Sequence, residues 1–399
     1  MKRILSIFAS LLLWSSTCLT VYAANSPDTS GAGMPIEIPA KSAILIEQST
    51  GQVLCEMNAD EQMPPASITK VMTLLLAMEA IESGRLSLEE TVTCSPHASS
   101  MGGSQIWLEP GEQMTVRELL KAAAVASAND ASTALAEQIA GSEEAFVEMM
   151  NSRARELGMT NTHFVNCTGL DAPGHLTTAR DIAAMSRLLV EHEMIREYST
   201  IWMDSLRGGE TPLVNTNKLV RFYEGATGLK TGTTDGAGSC LSATATRNDL
   251  SLVAVSLGSA TSDERFKSAR SLLDYGFANY AMAVPPAIDD QLTPVSVNGG
   301  MEEFVIPTAQ TPKGFLVKKG TEKNLEQIIE LLPEVEAPVA EGQVIGSVSV
   351  RAEGKEIGRY DLLAGNAVEE MTFGNAFLRL LQGLGDLRDE DTPESVGTF

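Results

Sequence analysis

Positive charge is scarce in this chain of 399 residues: 29 Lys and Arg stand against 52 Asp and Glu, a formal balance of −23. A surface of that sign repels phosphate backbones and argues against nucleic acid as a partner. It also gives anionic lipid little electrostatic hold on the protein as a whole. Histidine is rarer still. The four present (His97, His163, His175, His192) form neither H-E-x-x-H nor H-x-H, so no metal centre is expected, and no cofactor is called for. No G-x-S-x-G occurs, which sets aside the nucleophile elbow of α/β-hydrolases.

Cysteines are few and scattered. Cys18 lies in the leader described below; Cys55, Cys94, Cys167 and Cys240 include no C-x-x-C pair, so neither zinc nor redox chemistry is indicated. In an exported protein these four either form disulfides or remain free, partly buried thiols, and their spacing fixes neither. Beyond the first two dozen residues no apolar run is long enough to span a bilayer.

What is present begins with an export signal. Lys2 and Arg3 precede an apolar stretch from Ile4 to Trp14, and Val21-Tyr22-Ala23 offers small residues for cleavage after Ala23. Residues 1–23 are therefore read as a signal peptide. The mature chain keeps 27 basic residues against the same 52 acids, about −25. Residues 24–36, rich in Ser, Gly, Pro and Asp, read as a linker.

From 37 to 282 the pattern is that of one mixed domain. Ala43 to Ile46 and Val53 to Cys55 flank Ser49-Thr50-Gly51, a hairpin signal. Val71, Leu74, Leu75 and Met78 then recur at helical spacing, and helical stretches follow at about 115–126, 130–140, 143–157 and 178–192, two of them capped by Thr115 and Thr178. Cys240 to Thr246 and Leu250 to Leu257 return to strand, turning at Arg247-Asn248-Asp249, before a last helix from Ser262 to about Tyr280. The expected fold class is α+β: an antiparallel sheet built from both ends of the region, packed helices and a helical subdomain. Pro285-Pro286 opens a small β-rich domain, read as residues 283–370. Residues 371–399 form a candidate amphipathic helix and an acidic tail, read as a peripheral membrane contact, a helix packed on the β-rich domain or a frayed tail.

Three short stretches carry the chemistry. Ser67-Ile68-Thr69-Lys70 opens a helix, which places a hydroxyl and an amine one turn apart on the same face. A serine needs its proton removed before it can attack, and a lysine does this once burial or a neighbouring cation such as Lys230 lowers its pKa. Ser127-Ala128-Asn129 falls between two helices, where Ser127 can relay a proton to a leaving group and Asn129 can hold a substrate amide. Lys230-Thr231-Gly232-Thr233 reads as a strand whose edge can pair with an extended peptide. There Lys230, Thr231 and Thr233 would bind a terminal carboxylate, and Gly232 would permit close approach. The N–H groups of Ser67 and Thr233 would supply an oxyanion hole. Taken singly, each stretch is as readily a helix cap or a surface turn; their order is what distinguishes them.

In that order they resemble the low-molecular-mass penicillin-binding proteins that act as serine-type D-alanyl-D-alanine carboxypeptidases. The resemblance extends to Phe164-Val165-Asn166-Cys167-Thr168-Gly169-Leu170-Asp171, to Gly174-His175-Leu176-Thr177-Thr178-Ala179 and to Thr227-Gly228-Leu229. It implies a two-step reaction. Ser67 attacks the penultimate D-alanine of a peptidoglycan stem peptide ending in D-Ala-D-Ala, the terminal D-alanine leaves, and water frees the acyl-enzyme. β-Lactams would act as covalent inhibitors at Ser67, and the protein would work outside the cytoplasm, at the cell wall. Neighbouring readings are a D,D-endopeptidase, a β-lactamase and a catalytically dead peptidoglycan-binding scaffold. The E-x-x-L-N glutamate of class A β-lactamases has no counterpart here, since Glu148-Met149-Met150-Asn151 lies too close to Ser127 and reads as helix.

Overall fold

The computed structural model describes residues 36–377. The expected leader, nearly all of the linker and the tail beyond Phe377 lie outside the described residues.

Two strands from the start of the chain, β1 (Ser42–Glu47) and β2 (Val53–Met57), form the expected hairpin. Its turn is organised by Glu47, whose buried carboxylate accepts the N–H and hydroxyl of both Ser49 and Thr50 at 2.6–2.9 Å. The longer helices of the middle of the chain are α1 (Lys70–Glu82), α2 (Asn129–Ala140), α3 (Glu143–Glu156) and α4 (Ala179–Leu189), with shorter ones between and after them. Three more strands complete the sheet: β3 (Ala226–Thr234), β4 (Gly238–Arg247) and β5 (Leu250–Ser259). The closing helix is α5 (Ser262–Asn279).

The sheet is antiparallel with order β2-β1-β5-β4-β3, so the opening hairpin pairs with the last strand, Ser42 opposite Leu257. That is the mixed fold expected from the sequence. Alternate residues of β5 face opposite layers. Leu252 and Ala254 pack with Phe266, Ala269 and Leu273 of α5, while Val253, Val255 and Leu257 join the core of the helical region. The β4–β5 connection is a two-residue turn in which Asn248 and Asp249 both take positive φ (47° and 65°), residue types that tolerate that geometry.

Local signals placed the helix starts. Thr115 caps its helix through a capping box with Glu118, and Thr178 accepts the Asp181 N–H at the head of α4. Two details differ from expectation. The run through 126 is not one α-helix but α-helical at Val116–Lys121 and then a π-turn at Ala122–Ala126. And α1 is buried at every position from Lys70 to Met78, not only at the Val71, Leu74, Leu75 and Met78 that marked it as a helix. The sequence reading missed a short hairpin, Met203–Leu206 with Thr211–Val214.

Beyond Pro286, a four-stranded and a three-stranded sheet enclose small cores of their own, around Val348 and Leu362 and around Val295 and Val305. The strand Tyr280–Ala283, directly after α5, pairs with Phe315–Lys318 and ties this region to the closing helix. Ser296-Val297-Asn298 lies in the strand Val295–Asn298 of the three-stranded sheet, away from the other motifs. Among the described residues Cys55, Cys94, Cys167 and Cys240 are buried free thiols, and no helix is long and apolar enough to cross a membrane.

Truncating Glu47 to Ala removes the acceptor of four hydrogen bonds. It should cost about 2 kcal/mol, read as a lower urea midpoint, with the N–H groups of Ser49 and Thr50 losing protection in hydrogen exchange.

Candidate active site

The three sequence motifs meet at one place. Ser67 lies not in the α-helix but in a 3₁₀ turn, Ala66–Thr69, that leads into α1. The turn is braced from below. Thr69 Oγ1 donates to Ala66 O at 2.9 Å and contacts His175 Nε2 at 2.8 Å, while His175 Nδ1 accepts the Val165 N–H at 3.0 Å. An acceptor role at Nδ1 places the ring proton on Nε2, so the histidine is neutral and Thr69 accepts from it. Burial agrees with this, pushing the His175 pKa down to about 4.

Lys70, the first residue of α1, is fully buried. Its Nζ lies 3.0 Å from Ser67 Oγ, 2.6 Å from Asn129 Oδ1 and 2.7 Å from the Thr168 carbonyl. Burial pulls the amine's pKa from 10.5 down to about 7, with Asp130 acting in the opposite sense. The sequence suggested Lys230 as the cation that lowers it, but desolvation leads. A neutral amine has two N–H bonds and one lone pair. Two of the three neighbours are carbonyl oxygens that can only accept, so the lone pair is left for the hydroxyl of Ser67.

Asn129 begins α2 and is fixed on both ends, its Nδ2 donating to Gly102 O at 2.6 Å and its backbone N–H to Ser104 O at 2.7 Å. Its neighbour Asp130 is buried and accepts the N–H groups of Ile106 and Leu108, which holds the 102–108 loop as a wall of the cleft. Ser127 ends the π-turn in the left-handed region (φ 63°), its N–H bonded to Ala122 O, and its hydroxyl makes no hydrogen bond among the described residues.

On the opposite wall, β3 is an edge strand of the sheet. Gly232 is required there. A Cβ on it would sit 2.9 Å from both Ala66 Cβ and Ser67 N, so any side chain would drive the strand off the nucleophile turn. Lys230 is buried, bonded only to Thr231 O at 3.0 Å, and burial pushes its amine well below the usual range, with Lys70 and Arg265 adding to the effect. Thr231 Oγ1 donates to Thr216 Oγ1, and Arg265 of α5 reaches Gly232 O at 3.0 Å and Thr233 Oγ1 at 2.8 Å. Neither Lys230 nor Arg265 forms an ion pair among the described residues, and Arg265 Nε has no partner. Two uncompensated cations in a strongly acidic protein make this end of the cleft fit for an anion.

Sequence reasoning missed four contributors. Arg265 sits inside an ordinary helical pattern with nothing in its neighbours to mark it, and Asp130, although it directly follows Ser127-Ala128-Asn129, was given no chemical role. Thr168 acts through its backbone carbonyl, held in place by an Asn turn in which Asn166 Oδ1 accepts from Thr168 N and Gly169 N. The N-x-x-G spacing was the available signal. His175 was noted only as part of a family pattern, and its brace role is visible only in three dimensions.

An antiparallel sheet with a helical partner region, carrying a serine beside a buried lysine and a lysine on the facing edge strand, defines the penicillin-binding class. Comparison with known proteins narrows it. The D-alanyl-D-alanine carboxypeptidase family matches residues 28–261, and the C-terminal domain of penicillin-binding protein 5 matches residues 286–370. The chain is 41% identical over 338 residues to the D-alanyl-D-alanine carboxypeptidase DacF of Bacillus subtilis, covering 84% of this chain and 87% of that protein. It is 35% identical over 359 residues to DacC of Escherichia coli, covering 87% and 90%. Penicillin binding protein 5 from Haemophilus influenzae superposes with a TM-score of 0.75 at 30% identity, over 85% of this chain and 100% of that one. The chain belongs to the D-alanyl-D-alanine carboxypeptidase family.

Gly232→Ala should leave the fold intact, as judged by circular dichroism, yet lower the rate of labelling by a fluorescent penicillin at least about tenfold, equivalent to about 1.4 kcal/mol in the barrier. An unchanged rate would show that the strand and the Ser67 turn need not touch.

Proposed function

We propose that this chain is a serine D,D-carboxypeptidase that removes the terminal D-alanine from peptidoglycan stem peptides ending in D-Ala-D-Ala. The observation that carries the proposal is the buried Lys70 amine, 3.0 Å from Ser67 Oγ and held by two carbonyls, with its pKa brought down to about 7. The stem peptide lies along the free edge of β3, its terminal carboxylate between Lys230, Arg265 and the hydroxyls of Thr231 and Thr233. Gly232 lets its backbone come close, and Asn129 takes a substrate amide.

Lys70 accepts the Ser67 proton as Oγ bonds to the carbonyl carbon, and the N–H groups of Ser67 and Thr233 hold the oxyanion. On collapse, the proton passes from Lys70 through the Ser127 hydroxyl to the departing D-alanine nitrogen. Water then attacks the ester, giving its proton to Lys70, and as the bond to Oγ breaks Lys70 returns that proton to Ser67, freeing the shortened peptide as its carboxylic acid. A β-lactam enters the same path, forming an ester with Ser67. The Cefotaxime-bound form of Penicillin-Binding Protein D2 from Listeria monocytogenes, which superposes with a TM-score of 0.56 at 32% identity over 61% of this chain, is consistent with that.

The described residues favour slow release of that ester. Glu148 is exposed on α3, and Glu143 is occupied by the Cys167 N–H and by His97, so neither is placed to activate a deacylating water. We also read the protein as exported by its N-terminal segment and active at the outer face of the cytoplasmic membrane, where trimming stem peptides would limit cross-linking and so affect cell shape. Exposed Phe373 and Phe377, their rings stacked at 6.2 Å, support a peripheral membrane contact through the C-terminal tail.

D-Alanine release from a diacylated peptide ending in D-Ala-D-Ala is expected from the mature protein and absent from Ser67→Ala. Release by both would remove Ser67 from the mechanism. Because Lys70 works only when neutral, acylation by labelled penicillin should rise with pH through a midpoint near the amine's pKa of about 7 and decline below it. A flat profile from pH 5 to 9 would contradict the role of Lys70. The labelled ester should persist for many minutes after unbound penicillin is removed; rapid loss would point to a β-lactamase.

A further inference from the structure

Aromatic side chains make up only 5% of the chain, and it holds three tryptophans. One is Trp14, in the expected leader. The other two, Trp107 and Trp202, lie at opposite ends of the hairpin Met203–Leu206/Thr211–Val214, Trp107 near its turn and Trp202 at its open end. Trp107 is 75% exposed and takes a positive φ of 61°, a conformation costly for a bulky residue. It is held there from both sides. Asp130 accepts the N–H groups of the flanking Ile106 and Leu108, and Arg207, at the hairpin turn, donates to Ile106 O at 2.9 Å and approaches Trp107 O at 3.5 Å. Arg207 is itself fixed by Glu112 at 2.7 Å. At the other end, Trp202 packs edge to face with Phe222 at 5.7 Å, and Phe222 is 65% exposed.

Between these ends the outward strand residues of the hairpin are uncharged, and the exposed charges Glu210, at the turn, and Arg221, beside Phe222, stand at the margins. Met203 pairs with Val214, and both are exposed alongside Pro212, whereas Asp204 is turned to Lys121 at 2.6 Å. The strands of the hairpin run roughly 13 Å at about 3.3 Å per residue, with the aromatic side chains beyond either end. The rim they form is continuous with the cleft. Asn215 N donates to Trp202 O, Thr216 N to Val125 O, and Thr216 accepts from Thr231 of β3.

We propose that this rim, from Trp107 to the Trp202–Phe222 pair, is a saccharide-binding surface that holds glycan strands of polymeric peptidoglycan beside the cleft. The inference rests on the proposed substrate, which is a peptide borne on a sugar polymer and so extends past any cleft sized for its peptide. Indole and phenyl faces offer apolar surface to the C–H faces of sugar rings, and on a strongly acidic protein the uncharged strand face between them meets a neutral glycan without repulsion. A protein partner is the competing occupant.

The test measures binding apart from turnover. Full-length mature Ser67→Ala protein is sedimented with intact sacculi in the presence of an excess of the small diacylated peptide ending in D-Ala-D-Ala, which occupies the cleft. The protein should co-sediment, and adding Trp107→Ala with Phe222→Ala should weaken binding about tenfold, the scale of one or two lost aromatic contacts. Absence of binding by the Ser67→Ala protein, or undiminished binding by the triple variant, overturns the proposal and leaves the rim to a protein partner. If the triple variant misfolds, Trp107→Ala alone, at a side chain open to solvent, carries the test, and Trp107→Phe should retain binding. In parallel, Trp107→Ala with Phe222→Ala on active protein should release D-alanine from the small diacylated peptide at the parental rate while its KM on intact sacculi rises. A parent that fails on the small peptide counts against the carboxypeptidase reading, and the sedimentation result stands independently.

Discussion

The arrangement depends on one desolvated amine. Lys70 Nζ has no contact with water and three oxygen neighbours, two of which can only accept. That combination both lowers its proton affinity and aims its lone pair. Each wall of the cleft can be understood as holding one of those neighbours in place. The 3₁₀ turn carries Ser67 and is braced by Thr69 and His175, α2 supplies Asn129, and the Asn166 turn presents the Thr168 carbonyl. Gly169 shows how closely these parts meet, since a Cβ there would lie 1.8 Å from Ala66 O.

The electrostatics are set against the whole molecule. A chain with 52 acids and 29 bases buries two lysines and an arginine at one site, without carboxylate partners among the described residues. Burial makes each of these groups reluctant to hold its charge, and at Lys230 the neighbouring Lys70 and Arg265 add to that. An incoming carboxylate relieves both effects at once. The site is therefore poised for an anion by what it lacks as much as by what it contains.

The sequence was most informative where the chemistry is local. Ser67 and Lys70 are one turn apart, Ser127 and Asn129 two residues apart, and Lys230 to Thr233 share a strand, so spacing alone placed each group near its neighbours. Helix caps at Thr115 and Thr178 and the turn at Asn248-Asp249 were legible for the same reason. What escaped was long-range or carried by the backbone. Arg265 reaches β3 from another layer, a peptide carbonyl has no side-chain signature, and the 3₁₀ start of α1 follows from packing against Gly232 and Gly169, not from propensity. The hairpin at 203–214 was missed because its strands are short and one of them contains Pro212.

The pairing of β1 with β5 has a consequence for when the protein becomes reactive. Ser42 lies opposite Leu257, and the serine turn packs against a strand more than a hundred and fifty positions later in the chain. Contacts so distant in sequence form late, after the intervening helices have collapsed. A chain emerging in N-to-C order thus exposes Ser67 and Lys70 long before β3 arrives to press against them, and until then the lysine is hydrated, protonated and inert. Reactivity switches on only with closure of the sheet, so covalent capture of a penicillin reports that the two ends of the catalytic region have found each other.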